Sequence, residues 1–204
     1  MNSKLENADW SENIIIADGD YIDKVAFNLI VNFERMIGRR IHNADIARWI
    51  DCIALDGGLR EGSNDTHVII THGKDRKQLE YFTPGNYEKE LNGKAFKDNL
   101  GEFTITALPV EDITTADGLF IDILQNVCSG NNVKRIMAIP GEGEIHSHIR
   151  SITRNMKDDT KRITVFAMQP VAGGNFRQEI LGYSLMSALG ISSDEIQEKQ
   201  QDYK

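Results

Sequence analysis

A chain of 204 residues, 40% hydrophobic and 26% charged, has the composition of one globular domain, which excludes a disordered or low-complexity protein. Its net charge of −8 and pI near 5.1 exclude a general electrostatic affinity for nucleic acid. Contact with a phosphate backbone would need a local basic patch, or metal ions covering local carboxylates.

Residues 1–12 read as a flexible lead-in. Ile14–Ala17 is a β-branched run ending in Asp18–Gly19–Asp20, a buried strand followed by a tight turn. From Tyr21 the period becomes helical through Val25, Leu29, Phe33, Met36 and Ile37, and Gly38 is its C-cap. A second helix carries Ile46, Trp49, Ile50 and Ile53, with Asn43 or Asp45 as cap and Gly57–Gly58 as stop. Leu59–Thr66 is a polar loop, His67–Thr71 a strand, and Tyr81–Gly85 irregular. Residues 86–99, rich in Lys and Glu, suggest a surface helix.

Glu102–Val110 alternates as a strand. Thr114 or Thr115 caps a helix with Phe120, Leu124 and Val127 on one face. Arg135–Ile139 is a strand that ends in Pro140–Gly141–Glu142–Gly143–Glu144, and a helix follows with Ile145, Ile149, Ile152 and Met156 inward. Arg162–Met168 is the last strand. A Gly-rich link at Ala172–Asn175 leads to a helix with Ile180, Leu181, Leu185 and Leu189 on its core face, stopped by Gly190. Strands alternating with helices predict βαβ crossovers. The expected fold is a three-layer α/β/α domain over 13–190, with a mainly parallel sheet of about five strands and a polar tail or frayed helix at 191–204.

Cys52 and Cys128 give no disulfide framework and no zinc spacing, and are expected as small core residues. Met1–Asn13 lacks a signal-peptide core, and no apolar run approaches the roughly 18 residues of a membrane span. A cytoplasmic location is expected, with no membrane partner.

In a doubly wound sheet the ligand sits beyond the carboxyl ends of the strands. Asp18 and Asp20 follow the first strand, Thr71 and His72 the second, Glu111 and Asp112 the third, and Glu142 and Glu144 the fourth. Asp117 enters the helix after the third. Carboxylates held close repel unless one is protonated or a cation neutralises them. Their hard oxygens suit Mg²⁺ or Mn²⁺, which can activate water against a phosphodiester.

Three segments resemble the NYN branch of the PIN-like nuclease superfamily. They are IIIADGDY at 14–21, DGLFIDILQNV at 117–127 and RIMAIPGEGEIHSHIRSI at 135–152, and Arg162–Ala167 stands where the family has its last core strand. The resemblance implies a compact parallel α/β fold, Mg²⁺ or Mn²⁺ as cofactor, and RNA cleavage. It implies Asp18, Asp117, Glu142 and Glu144 as the catalytic carboxylates, with Asp20 and Asp122 as further metal ligands. The chain departs from the family where Tyr21 replaces an Asn, Pro140 replaces a Ser, and Glu142 and Glu144 replace two Asp.

His146 and His148 flank the acidic loop, as ligands, proton carriers or plain helix positions. Residues 134–162 hold seven basic side chains against four acidic ones, and Arg150, Arg154 and Lys157 are the expected RNA contacts. Asp51 and Asp56 lie near the pocket or on a helix face. Two other readings fit the residues. One is a haloacid-dehalogenase-like phosphatase with Asp18 as nucleophile and Asp20 as acid/base. The other is a degenerate NYN-like module that binds RNA, a nucleotide or a protein. Self-association is allowed by either.

Overall fold

The computed structural model describes residues 10–156 and 160–196. Its centre is a seven-stranded sheet. In chain order the strands are β1 (Asn13–Asp18), the short β2 (Ala44–Asp45), β3 (Asn64–His72), the short β4 (Phe82–Thr83), β5 (Lys94–Asp98), β6 (Gly101–Pro109), β7 (Arg135–Ile139), β8 (Arg162–Ala167) and β9 (Arg177–Ile180). The helices are α1 (Gly19–Ile37), α2 (Ile46–Asp56), α3 (Ala116–Ser129), α4 (Ile145–Arg154) and α5 (Leu181–Ala188). The large sheet runs β5-β6-β3-β1-β7-β8-β9, and β2 pairs with β4 in a separate two-stranded ribbon. All pairs of the large sheet are parallel except β5 with β6.

The side-chain period of two divides the core between two faces. Ile15 and Ala17 of β1, Val68 and Ile70 of β3 and Met137 and Ile139 of β7 face α1, α2 and α5. Ile14 and Ile16 of β1, Ile69 of β3 and Ile136 and Ala138 of β7 face α3 and α4. The expected three-layer α/β/α arrangement is therefore observed. β1 lies between two strands and under both helical layers, so its Ile-Ile-Ile run is wholly buried.

The sheet has seven strands where about five were expected. Lys94–Asp98 is an antiparallel edge strand, not the second half of a surface helix. The Asp98 carboxylate accepts from the Leu100 N–H at 2.7 Å, Gly101 turns with φ +128°, and Phe96 stacks on Phe103 at 4.8 Å. Only Tyr87–Leu91 of the expected helix is helical, as a single π-turn capped by Asn86. Arg177–Ile180 is also an edge strand, so Ile180 closes β9 and α5 begins at Leu181.

The ends of the domain are wider than 13–190. Trp10 is 7% exposed within the α3/α4 core, and Glu12 accepts the Lys134 and Arg135 N–H groups through its carbonyl. Beyond α5, Ile191 is buried, and Glu195 pairs with Arg39 at 2.6 Å. The cysteines are both free and half-buried rather than fully buried, and burial pushes the Cys128 thiol up to about 11. Among the described residues no helix is long and apolar enough to cross a membrane.

Candidate functional site

Strand order fixes where a ligand can enter. β3 and β6 lie on one side of β1, and β7, β8 and β9 on the other. Successive crossovers diverge between β1 and β7, and in doubly wound sheets the ligand crevice lies outside the carboxyl ends of two such strands. Asp18 ends β1 there, Pro140–Glu144 leaves β7 there, and Asp117 stands in the first turn of α3.

Asp18 is the N-cap of α1, and its Oδ1 accepts the Tyr21 N–H at 3.1 Å. Its other oxygen faces Gly141. A β-carbon built on Gly141 would lie 3.1 Å from Asp18 Oδ2 and 4.0 Å from Asp117 Oδ1. One glycine thus lies close to both carboxylates. Burial holds the Asp18 carboxyl above the usual carboxylate range, and the nearby Asp20 and Asp117 charges push it the same way.

Glu142 is exposed at the rim, with Lys24 Nζ 3.8 Å from its carboxylate. Its charge adds to burial in pushing the Tyr21 hydroxyl up to about 12. Glu144 is exposed and directly precedes α4, making no side-chain cap bond. His146 enters α4 beside these acids. Burial moves its imidazole below its ordinary value, against the pull of Asp117 and Glu142, and its buried Nδ1 has no hydrogen-bond partner.

Of the other expected ligands, one is close to Asp18 but engaged by other groups and one is turned away. Asp20 is turned across the first turn of α1, where its Oδ2 accepts the Gly73 N–H at 2.9 Å and its Oδ1 lies 3.3 Å from Arg76 Nε. Asp122 is exposed on α3, five residues past Asp117, which is roughly 140° further around a helix of 3.6 residues per turn. Among the described residues no three His, Cys, Asp or Glu side chains are gathered closely enough to hold a metal ion.

The basic run is also divided. Lys134, Arg135, Lys161 and Arg162 stand at the amino ends of β7 and β8, the edge opposite the acidic crevice. There Lys134 pairs with Glu12 at 2.6 Å, and Lys161 donates to the Gly130 and Val133 carbonyls. Arg150 and Arg154 continue the α4 face begun by His146, away from the crevice, and Arg150 packs on Gly174. Lys157 lies outside the described residues.

Residues that sequence reasoning passed over brace this edge. Arg76 Nη2 donates to Asp23 Oδ2 at 2.9 Å, and Asp23 also accepts the Tyr81 N–H at 2.9 Å. Tyr87 stacks on His72 at 3.9 Å, and its hydroxyl lies where a Gly19 β-carbon would come within 2.7 Å. Gly19 was the available signal: any larger residue would strike the Tyr87 hydroxyl and the Thr71 carbonyl. Asp51 lies away from the crevice, against Asp98 at the end of β5.

Comparison with curated proteins and with solved structures found no match. A family model described as a family of unknown function (DUF6621) matches residues 7–196. That span is nearly the whole chain, and the protein belongs to the DUF6621 family.

Proposed function

We propose that this domain is a divergent NYN/PIN-like ribonuclease, dependent on Mg²⁺ or Mn²⁺, with its site at the β1/β7 crevice. One observation carries the reading: the Asp18 and Asp117 carboxylates both approach Gly141 at the topological switch point. The partly buried Asp18 carboxylate is unfavourable beside the exposed Asp117 charge, and a bound cation would relieve it.

The donor set fits such an ion. Mg²⁺ typically binds through one or two carboxylates and completes its shell with water and phosphate oxygens. Asp18 and Asp117 would hold it, with Glu142 a further acid at the rim. The ion would supply charge neutralisation for a phosphodiester and a more acidic water. The chain's own groups do the remaining work. Asp18 is fixed by its cap bond to Tyr21, and His146, beside the acids with its Nδ1 unpartnered, is the side chain placed to take a proton. Arg150 and Arg154 would contact RNA only along the α4 face.

A second reading has its own support. Asp20 is engaged by Gly73 and Arg76, and Glu142 has Lys24 for a partner. A site reduced to Asp18 and Asp117 suits a module that binds RNA without cutting it. The phosphatase reading has less support, because its acid/base, Asp20, is turned away from Asp18's free oxygen.

Incubation of the purified protein with structured and single-stranded RNA in Mn²⁺ tests the proposal. Cleavage that disappears in Asp18→Asn and Asp117→Asn supports the nuclease. RNA binding without cleavage assigns the binding module, and a trapped phospho-Asp18 assigns the phosphatase.

A further inference from the structure

Beside the acidic crevice, and separate from it, lies a cavity of about 530 Å³ whose charge is opposite to that of the chain. Its walls are the loop after β3, the π-turn Tyr87–Leu91 and the end of β6. Lys74, Arg76, Lys77 and Lys89 line it against one carboxylate, Glu88. In a protein of net charge −8, a local excess of cations is a structural departure.

The pairing of these cations shows which are available. Lys74 is held by Asp112 at 2.5 Å, and Arg76 by Asp20 and Asp23. Among the described residues Lys77 and Lys89 have no ion-pair partner, and both are exposed at the cavity. The neutral polar groups are also donors. Asn86 uses its Oδ1 on the Lys89 N–H, and Asn92 uses its Oδ1 on the Ala107 N–H. Each therefore has its amide NH₂ left to give. His72 donates Nδ1–H to the Gly73 carbonyl at 3.0 Å, since a carbonyl can only accept.

We propose that this cavity binds a phosphomonoester, carried by a free phosphate-bearing ligand or by the end of a nucleic-acid strand. The class follows from the lining. Two unpaired ammonium groups match a dianion, and several N–H donors match its terminal oxygens. The volume lies in the range of small-ligand sites, so more than the phosphate is enclosed. The buried floor adds a further observation. Tyr87 is 3% exposed and its hydroxyl has no hydrogen-bond partner, so an unmet donor lies between this cavity and the first turn of α1. The wall that the two sites share is the segment Thr71–Arg76, whose Gly73 N–H and Arg76 guanidinium hold Asp20. The inference does not require the carboxylate crevice to be catalytic.

The test is calorimetric titration of the full chain, without divalent cations and at low salt. The probes are inorganic phosphate, a short oligonucleotide with a 5′-phosphate, and the same oligonucleotide with a 5′-hydroxyl. The phosphorylated strand is expected to bind at least about tenfold more tightly than the hydroxyl strand. The double variant Lys77→Glu/Lys89→Glu should lose that difference. Lys94→Glu, an exposed cation on the edge strand β5, should keep it, and so should Asp18→Asn. Phosphate binding as tight as the strand assigns the site to a free anion, whereas tighter strand binding assigns it to a strand end. Equal binding of the two oligonucleotides, or equal loss in Lys94→Glu and in the double variant, would overturn the proposal. Retention of this binding in an Asp18→Asn protein that no longer cuts RNA separates the two sites. Absence of cleavage by the wild type with phosphate binding intact would remove the nuclease reading alone.

Discussion

Gly141 lies against the Asp18 carboxylate: a β-carbon on Gly141 would come within 3.1 Å of Asp18 Oδ2 and within 4.0 Å of Asp117 Oδ1. The turn after β7 therefore packs at close spacing against carboxylates that come from two other elements, β1 and α3.

Gly141→Ala tests that spacing. The new methyl group must displace the Asp18 oxygen by a few tenths of an ångström. We expect the variant to fold with a nearly unchanged melting temperature, while Mn²⁺ affinity falls by roughly tenfold, since site geometry is sensitive to small displacements. Thermal melts and metal calorimetry read the two effects separately. A variant with unchanged metal affinity would show that the glycine does not set the site.

Asp18 itself should cost stability. Its folded-state carboxyl is raised, chiefly by burial, so the folded protein binds that proton more tightly than the unfolded chain. Stability from this group is full at low pH and is lost as pH rises above the ordinary value of 3.8 and through the folded value. Asn retains the cap bond to Tyr21. Asp18→Asn is expected to be more stable than wild type at pH 7 by about 1 kcal/mol, and equal to it at about pH 3. Urea melts at the two pH values decide this.

The second acid pair carries a pH dependence of the same sign. Burial, with Asp98 next in importance, pushes the Asp51 carboxyl up to about 7. Wild-type stability should therefore fall as pH rises from about 4 to 8. Asp51→Asn should flatten that slope, by about 1 kcal/mol once partial solvent exposure is allowed for. An unchanged slope in the variant would contradict the assignment.

Arg76 braces two elements through one guanidinium. It holds Asp20 at 3.3 Å and Asp23 at 2.9 Å, and the Asp23 side chain is only 2% exposed. Arg76→Ala leaves that buried carboxylate with only backbone N–H partners at Glu80 and Tyr81 and no counter-charge. We expect a loss of about 2 kcal/mol, less than for a fully buried pair because Arg76 is half-exposed. The double variant Arg76→Ala/Asp23→Asn should recover part of it, as a denaturant midpoint would show.

Legibility in the sequence followed burial and strand position. β1 and β7 are covered on both faces, so each is a continuous apolar run, and the residue after each could be read as a site residue. Asp18 and Glu142 were found that way, and Asp117 as the acid at the start of the helix after the third expected strand. β5 and β9 are edge strands. Lys94–Asp98 and Arg177–Ile180 are polar, and pairing with β6 and β8 makes them strands. The Arg76 pairs with Asp20 and Asp23, like the Tyr87 packing against Gly19, join residues more than fifty positions apart. No local pattern carries such contacts, so the bracing of the site and the cationic cavity emerged only from the fold. The basic run at 134–162 was visible, but strand direction places its two ends on the edge away from the carboxylates.

The most direct test of the account is Mn²⁺ titration into the purified protein and into Asp18→Asn, followed by calorimetry. The account predicts saturable binding near one ion per chain in the wild type, lost in Asp18→Asn although that variant remains folded. Absence of uptake by the wild type at millimolar Mn²⁺, or equal uptake by both proteins, would contradict a cation site at Asp18 and Asp117.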